Sequence, residues 1–294
     1  MVTVTVRCDD GTTLTAYERF PGAAREPTVF LAREGWVEGW YSSPDLKVEA
    51  TARQTGHGNF PVPDDRVLYE SRTVTVHLTC WGGTREASVA LASSWSRALA
   101  QSVTVTVDDG GLPTWARGYC QLAWEPDWSP AGLRGTLTVV CDDPRRYGER
   151  HGRSLAAGGT HSGALQWSGD APRGLVWPTS FGESGGTAPS VMVAENRGTA
   201  TAYPTVDAVG FPSGFELVSD GPAGQAVLRY GAPVGSVPLV LDCLSRTASV
   251  GGVDVTRNLA ARGFPSIPPS GPVRLSVVAP GSGTVSVSWH DTYI

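Results

Sequence analysis

The sequence GESGG at residues 182–186 is the part of this chain that comes nearest to a catalytic motif. It satisfies the Gly-x-Ser-x-Gly pattern, in which a nucleophilic serine stands on a turn between a strand and a helix. Here residues 187–189 read TAP, and the run that follows has the composition of a strand. A trypsin-like site also needs a histidine in an apolar setting, whereas His57 lies between two glycines. The sequence therefore predicts a surface loop around Ser184 and no catalytic residue.

Pairs of adjacent aspartates could suggest a glycosidase or a calcium site. They stand at residues 9 and 10, 64 and 65, 108 and 109, and 142 and 143. Three of the four pairs lie beside glycine or proline at the ends of strand-like runs, where an aspartate side chain serves the turn itself. None has the alternating oxygen-ligand spacing of a calcium loop. We therefore expect these aspartates to be turn residues.

The remaining metal-ligating residue types show no ligand spacing. The histidines outside the glycine loop are His77, His151, His161 and His290. The five cysteines, with no Cys-x-x-Cys pair among them, are Cys8, Cys80, Cys120, Cys141 and Cys243. Their odd number and their place in strand-like runs favour free, buried thiols in a reducing compartment. No glycine-rich loop precedes Lys47, the only lysine, so a phosphate-binding loop is excluded. The sequence predicts no metal and no cofactor.

Tryptophan is the remaining chemical signal. The ten are Trp36, Trp40, Trp81, Trp95, Trp115, Trp124, Trp128, Trp167, Trp177 and Trp289. Aromatic rings can grip a sugar, but they also dominate protein interfaces because they bury a large area with few rotatable bonds. We favour core and subunit-interface roles. Trp36, Trp40 and Tyr41, set among glycines and a glutamate, are predicted to be exposed and to lie at an interface.

Composition limits the class of protein. A chain of 294 residues suits two domains, and 36 glycines, 22 prolines and frequent Val-Thr alternation predict an all-β fold. The formal net charge of −5 argues against a protein that coats nucleic acid. No apolar run is long enough to span a membrane, and residues 1–6 read as a strand, not as an export signal.

The elements that would position these residues are mostly hairpins. Asp-Gly turns are predicted at residues 9–11 and 108–111. One helix is expected near residues 85–100, capped by Thr84, with its apolar stripe formed by Val89, Ala92, Trp95 and Leu99. The glycine-rich, charged stretch at 147–163 suggests a boundary between an N-terminal domain, 1–152, and a C-terminal domain, 153–294.

The last fifth of the chain reads as half of a β-sandwich. Short apolar runs at 239–243, 247–250 and 253–256 lead into a proline-glycine stretch at 264–271, where a central strand is forbidden. Two alternating strands at 273–277 and 285–289 follow, as in a sheet that packs on one face.

This order of elements resembles the distal tail protein of long-tailed, non-contractile bacteriophages, the siphophage tail protein family. The resemblance rests first on VGGVDVT at 250–256, the proline-glycine loop at 267–271 and VSWHDTY at 287–293. It continues upstream in the same order as the family, with these further segments: ENRGT at 195–199, VVCDDPRRY at 139–147, RTVTV at 72–76 and RQTGHG at 53–58. The match therefore extends over nearly the whole chain.

The resemblance implies a structural protein of the virion, not an enzyme. It implies an N-terminal β-sandwich or split-barrel domain that forms a ring, usually of six copies, and a C-terminal galectin-like β-sandwich that projects outward. Such a hub at the tail tip, assembled in the host cytoplasm, would join the tail tube protein to the tail-tip protein and the receptor-binding protein. DNA would pass through it without specific binding, and no membrane insertion is expected.

A two-domain carbohydrate-binding protein, which contacts host surface glycans directly, stays open as the alternative. A ring protein assembles without sugar, whereas a lectin binds sugar without assembling. Stoichiometry and ligand therefore separate these two hypotheses.

Overall fold

The computed structural model describes residues 1–22, 26–48, 51–63, 67–126, 132–157, 191–279 and 283–294. The chain forms two compact units. Unit 1 consists of Met1–Glu149 with Thr292–Ile294, and unit 2 of Arg150–Asp291. Strands dominate both units, and the described residues contain a single α-helix, so the all-β prediction with one helix is confirmed. None of the helical segments in these ranges has the length and apolarity needed to cross a membrane.

Unit 1 is a closed barrel. Its strands are β1 (Thr3–Cys8), β2 (Thr13–Tyr17), β3 (Thr28–Leu31), β4 (Val37–Glu38), β5 (Arg72–Trp81), β6 (Ser102–Asp109), β7 (Leu112–Pro126), β8 (Gly132–Cys141) and the start of β9 (Arg146–Ala157). Pairing runs through β1, β2, β3, β5, β8, β7 and β6 and returns to β1, which closes a circuit of seven strands. Closure pairs both edges of every strand in the circuit. The prediction of a β-sandwich or split barrel in the N-terminal domain is confirmed as a β-barrel, and the circuit of seven strands is closed, not split.

Residue alternation determines which side chains fill the barrel. In β5, Val74, Val76, Leu78 and Cys80 are buried, while the threonines between them face outward. The same alternation holds in β1 and β6, as expected for sheets with one apolar face. The predicted hairpin turns are present, because Gly11, Gly110 and Gly111 have positive φ angles between the paired strands.

The helix α1 (Arg85–Trp95) begins where predicted. The Oγ1 of Thr84 accepts a hydrogen bond from the N–H of Ala87 at 3.3 Å, and a 3-10 turn at Ser96–Ala98 ends the helical segment. The predicted apolar stripe was partly wrong, since Val89 and Leu99 are exposed. Ser88, Ala92 and Trp95 form the buried face instead. Ser88 is tolerated there because its hydroxyl donates to the carbonyl of Thr84.

Unit 2 is a sandwich of two antiparallel sheets. Its further strands are β10 (Val191–Ala194), β11 (Thr205–Val209), β12 (Phe215–Gly221), β13 (Gly224–Tyr230), β14 (Leu239–Asp242), β15 (Thr247–Val250), β16 (Val253–Asp254), β17 (Leu259–Arg262), β18 (Val273–Val278) and β19 (Gly283–Tyr293). One sheet has the order β16-β15-β14-β11-β19-β9, and the other β10-β18-β12-β13-β17. The predicted C-terminal sandwich is confirmed, with Phe211, Leu217, Leu241 and Val287 in its core.

The predicted role of the cysteines holds except at Cys120, which is free but half-buried, and two of the aspartate pairs show the predicted turn chemistry. Cys8, Cys80, Cys141 and Cys243 are buried and free. Burial raises the pKa of the Cys80 thiol to about 12, which keeps the thiol protonated and unreactive. Turn chemistry is visible in hydrogen bonds from Thr12 N–H to Asp10 and from Gly111 N–H to Asp108.

Candidate interface site at Trp36, Trp40 and Tyr41

The segment that carries the predicted interface aromatics lies along one side of β5. The N–H of His77 donates to the carbonyl of Trp36 at 3.0 Å, and Val37 pairs with Val76. The chain then turns at Gly39, whose φ is +75°. A Cβ at this position would lie 2.0 Å from the carbonyl oxygen of Thr73, so only glycine allows the approach.

The three aromatics differ in exposure. Tyr41 is 56% exposed, Trp36 is half-buried, and the two rings make an edge contact with centroids 6.4 Å apart. Trp40 is only 1% exposed, so the prediction that it lies on the surface was wrong. The turn at Gly39 brings the Trp40 ring into the core of unit 1. Tyr41 Oη donates a hydrogen bond to Asp109 Oδ2 at 2.7 Å. The pKa of Tyr41 is raised to about 12, mainly by burial and to a smaller extent by this hydrogen bond.

A buried arginine holds this loop in place. The Nη1 of Arg72 donates to the carbonyl oxygens of Gly39, Trp40 and Ser42, and its Nε donates to that of Pro144 at 2.8 Å. Arg72 is 1% exposed, and burial lowers its pKa to about 10. The guanidinium thus connects the segment after β4 to the turn between β8 and β9.

In the sequence, Arg72 stands out only as the first residue of the segment RTVTV at 72–76. A signal for its burial was nevertheless present. Arg72 lies two residues before Val74 and is in phase with the buried side of β5, so the period of two places it inside the barrel. We refer to Arg72 and the carbonyl groups that it binds as the arginine latch.

Arg146 lies beside this latch. Its guanidinium carbon is 5.6 Å from the ring centroid of Trp40 and 5.7 Å from that of Tyr41. Burial lowers its pKa. Three buried nitrogens here have no hydrogen-bond partner among the described residues: Nη2 of Arg72, Nε of Arg146 and Nε1 of Trp40. Unpaired buried donors are costly, so this cluster retains unused hydrogen-bonding capacity.

The end of the segment VVCDDPRRY, where the chain leaves β8 at Asp143, Pro144 and Tyr147, forms the other side of the latch; we call it the exit turn. Tyr147 Oη donates to Asp143 Oδ2 at 2.5 Å, and Asp143 also pairs with Arg145 at 3.5 Å. The Tyr147 ring packs against Trp115, with centroids 4.8 Å apart. The structure therefore brings together the arginine-led strand and the exit turn, two segments that the sequence resemblance had treated separately.

A long excursion between β4 and β5, which we call the arm, follows Trp40. It comprises residues 41–71 except 49–50 and 64–66. The arm doubles back on itself, because the N–H of Lys47 donates to the carbonyl of Leu68 and the N–H of Phe60 to that of Thr51. Leu46, Phe60 and Leu68 are each more than half exposed. Exposed large apolar side chains on one segment make that segment a candidate contact surface.

In unit 2, the segment ENRGT at 195–199 contacts the last strand, β19, which contains VSWHDTY at 287–293. The side-chain amide of Asn196 donates to the carbonyls of Ala200 and Ile267 at 2.6 and 3.1 Å. Asp291, 3% exposed, accepts a hydrogen bond from the N–H of Arg197 at 2.9 Å, and Trp289 Nε1 donates to the carbonyl of Glu195. These motif residues act together as a second latch, which we call the asparagine latch.

Solved structures identify the fold. SPP1 Dit (gp 19.1), described as a paradigm of the hub adsorption apparatus in phages that infect Gram-positive bacteria, matches with a TM-score of 0.60. The two chains share 14% sequence identity, and the match covers 99% of each chain.

This chain has the Dit fold. Chains of the phage P2 baseplate in its activated conformation, with Ca and with Sr, match over 98% of both chains at TM-scores of 0.46 and 0.44 and identities of 9% and 10%. No protein-family model and no curated protein matches the sequence. The match to SPP1 Dit confirms, at the level of the fold, the resemblance to the distal tail protein.

Within the Dit fold, Trp289 does not offer a sugar platform. It is 5% exposed, its indole N–H is engaged, and the ring of His151 lies over it at 5.4 Å. His151 Nε2 lies 3.1 Å from Asp291 Oδ2, within ion-pair distance but without hydrogen-bond geometry. A sugar ring could not stack on an indole that is covered in this way.

Some predicted features fall outside the described residues. They are the GESGG loop with Ser184, the aspartate pair at 64 and 65, His161, Trp128, Trp167 and Trp177. The predictions made for these positions stay predictions.

Proposed function

We propose that this chain is the hub protein at the tail tip of a long-tailed, non-contractile phage. The observation that carries the proposal is the match of the whole chain, both units included, to the SPP1 hub protein. In this proposal, residues 1–152 form a ring of six copies, and the galectin-like domain, residues 153–294, projects from it. The ring joins the tail tube protein to the tail-tip and receptor-binding proteins, and the protein is not an enzyme.

The arm supports ring formation through unit 1. Leu46, Phe60 and Leu68 would be covered by a neighbouring copy, which removes apolar area from water. A contact between two different surfaces of identical chains closes into a ring when its rotation closes.

Charge supports the role as a conduit. Each copy carries a formal charge of −5, so a ring of six copies would be strongly acidic. A lumen of that sign would repel passing DNA and would not retain it.

The test is the native mass of the full chain at micromolar concentration. We expect a closed ring of six 30.9 kDa chains. A double variant, Leu46→Asp with Phe60→Asp, should be monomeric, because it places charges in the proposed contact. The matched control is Val253→Asp, which changes an apolar residue of unit 2 that is 66% exposed and should leave the ring intact.

Two results would contradict the proposal. One is a wild-type chain that stays monomeric at high micromolar concentration. The other is a monomer that binds host cell-wall glycans with a Kd below about 1 mM, which corresponds to roughly 4 kcal/mol. The second result would favour the carbohydrate-binding alternative.

A further inference from the structure

Among the described residues, Arg146 has no carboxylate partner, in contrast to Arg117 and Arg145. Arg117 binds both oxygens of Asp9 at 2.9 and 3.0 Å, and Arg145 pairs with Asp143. Over the described part of the chain, the Arg146 side chain has neither an ion pair nor a hydrogen bond; its guanidinium lies by the Trp40 and Tyr41 rings and is close enough to Tyr293 to interact with it electrostatically. The guanidinium is held in place but is not neutralised.

The environment makes this unpaired charge costly. Arg146 is half-buried, and its Nε is removed from solvent without a partner. The buried guanidinium of Arg72 is close enough that the charge of Arg146 contributes to lowering the Arg72 pKa. Arg72 itself is bound only by neutral carbonyl groups. In the part of the chain that the structure describes, no carboxylate compensates these two guanidiniums, an arrangement that a buried site tolerates poorly.

The geometry is that of a hydrogen-bond donor site suited to a carboxylate. Aromatic rings on the guanidinium restrict its rotation, and less conformational entropy is lost when it binds. Tyr41 is itself fixed by its hydrogen bond to Asp109. A planar guanidinium binds a carboxylate through two parallel hydrogen bonds, which are among the strongest in proteins.

We propose that Arg146, between Trp40 and Tyr41, binds the carboxylate of an acidic side chain on a second copy of this chain. The proposal rests on the proposed ring function. Charge complementarity favours a second copy, because the chain carries 28 acidic residues against 23 basic ones. Arginine, tryptophan and tyrosine are also the residues that most often carry the binding energy of protein interfaces. Tyr41, at 56% exposure, would supply the rim of the contact.

The experiment compares assembly of full-length variants by sedimentation velocity and native mass. Arg146→Gln should weaken the assembly roughly tenfold or more, because the partner carboxylate would be buried without its cation. Arg146→Lys should recover part of the affinity, since it keeps the charge but loses the planar, two-bond contact. Arg117→Gln is the matched control, because its carboxylate lies in the same chain, and it should assemble as the wild type does.

A folding control separates assembly from stability. Thermal unfolding of the dilute proteins should show that Arg146→Gln unfolds no earlier than the wild type, since it removes an unpaired charge. If Arg146→Gln unfolds much earlier, Arg146 supports the fold of its own chain and the proposal is wrong.

Each other outcome identifies which proposal fails. If the wild type forms a ring and Arg146→Gln forms it equally well, the carboxylate contact is wrong and the ring function stands. If the wild type never assembles, the proposed ring function is wrong, and the contact between two copies is wrong with it. If sodium acetate at constant ionic strength raises the unfolding temperature of the wild type but not of Arg146→Gln, while both assemble equally, the site takes a free carboxylate, and the assignment to a second copy is overturned.

Discussion

Each unit fixes a loop to its β-sheet core through buried side-chain hydrogen bonds, but the two units use different side chains for this. In unit 1 a cation, Arg72, donates to four neutral carbonyl groups. In unit 2 the neutral amide of Asn196 donates to two carbonyls, while the carboxylate of Asp291 accepts a backbone N–H. In the first latch, Nη2 of Arg72 has no acceptor among the described residues, whereas Asn196 and Asp291 are both bound; the unpartnered nitrogen beside the second latch, His151 Nε2, lies 3.1 Å from Asp291 Oδ2.

The two latches differ in whether the side chain at the centre, Arg72 or Asn196, has a buried donor left without an acceptor. A buried amide between backbone carbonyls needs no outside partner, so the asparagine latch serves the fold of unit 2. A buried guanidinium with an unbound N–H group, such as Nη2 of Arg72, still requires a hydrogen-bond acceptor. Variants of the two latches should therefore differ in how much they lower the free energy of unfolding.

The largest effect is expected for Arg72→Met. Loss of the guanidinium leaves the carbonyls of Gly39, Trp40, Ser42 and Pro144 without their buried donor, which we expect to lower the free energy of unfolding by about 4 kcal/mol. Hydrogen exchange should localise the loss of protection to β4, β5 and the turn before β9. A change below about 1 kcal/mol, with protection intact, would show that the latch contributes little.

Gly39→Ala tests the close approach that the latch secures. A Cβ would lie 2.0 Å from the Thr73 carbonyl oxygen at a φ of +75°, so both strain and a clash should destabilise unit 1 by about 3 kcal/mol. Gly11→Ala is the control, because its φ is +86° but nothing lies within 4 Å of its Cβ. It should cost about 1 kcal/mol. Equal losses in urea unfolding would mean that the clash is relieved by movement of the loop.

Much of the fold follows from local sequence patterns. The alternation in β1, β5, β6, β18 and β19, the Asp-Gly turns and the Thr84 cap are each set by neighbouring residues, so they could be read directly. The burial of Trp40 could not, since it depends on Gly39 meeting Thr73, a residue more than thirty positions away. The predicted burial of Val89 and Leu99 was wrong for a related reason. The elements against which α1 packs determine which face of the helix is buried.

The sites were harder to predict than the fold. Sequence resemblance identified the segments around Arg72, Pro144, Asn196 and Asp291 without their roles, because hydrogen bonds between distant segments have no sequence period. The burial of Arg72 could have been predicted from the alternation of β5, because Arg72 lies an even number of residues from the buried Val74 and Val76. Arg146 gave no comparable signal, since its partners Trp40 and Tyr41 lie about a hundred residues upstream.

Asn196→Ala should have an intermediate effect on unit 2. It removes two donated hydrogen bonds and leaves the carbonyls of Ala200 and Ile267 buried, which we expect to cost about 2 kcal/mol. Asn196→Asp is an informative second variant, because the carboxylate cannot donate to either carbonyl and should cost at least as much. A stability loss as large as that of Arg72→Met would remove the contrast between the charged and the neutral latch.

The smallest effect is expected for Arg229→Met in unit 2. The Nε of Arg229 donates to Glu216 at 2.7 Å, a bond as short as those of Arg72, but the arginine side chain is 58% exposed. Water already solvates such a guanidinium, so the free energy of unfolding should change by about 0.5 kcal/mol, and less at high salt. Chemical denaturation at low and high salt is the measurement. If this loss approached that of Arg72→Met, burial would not be what distinguishes the arginine latch, and the cost assigned to its unpaired donors would have to be revised.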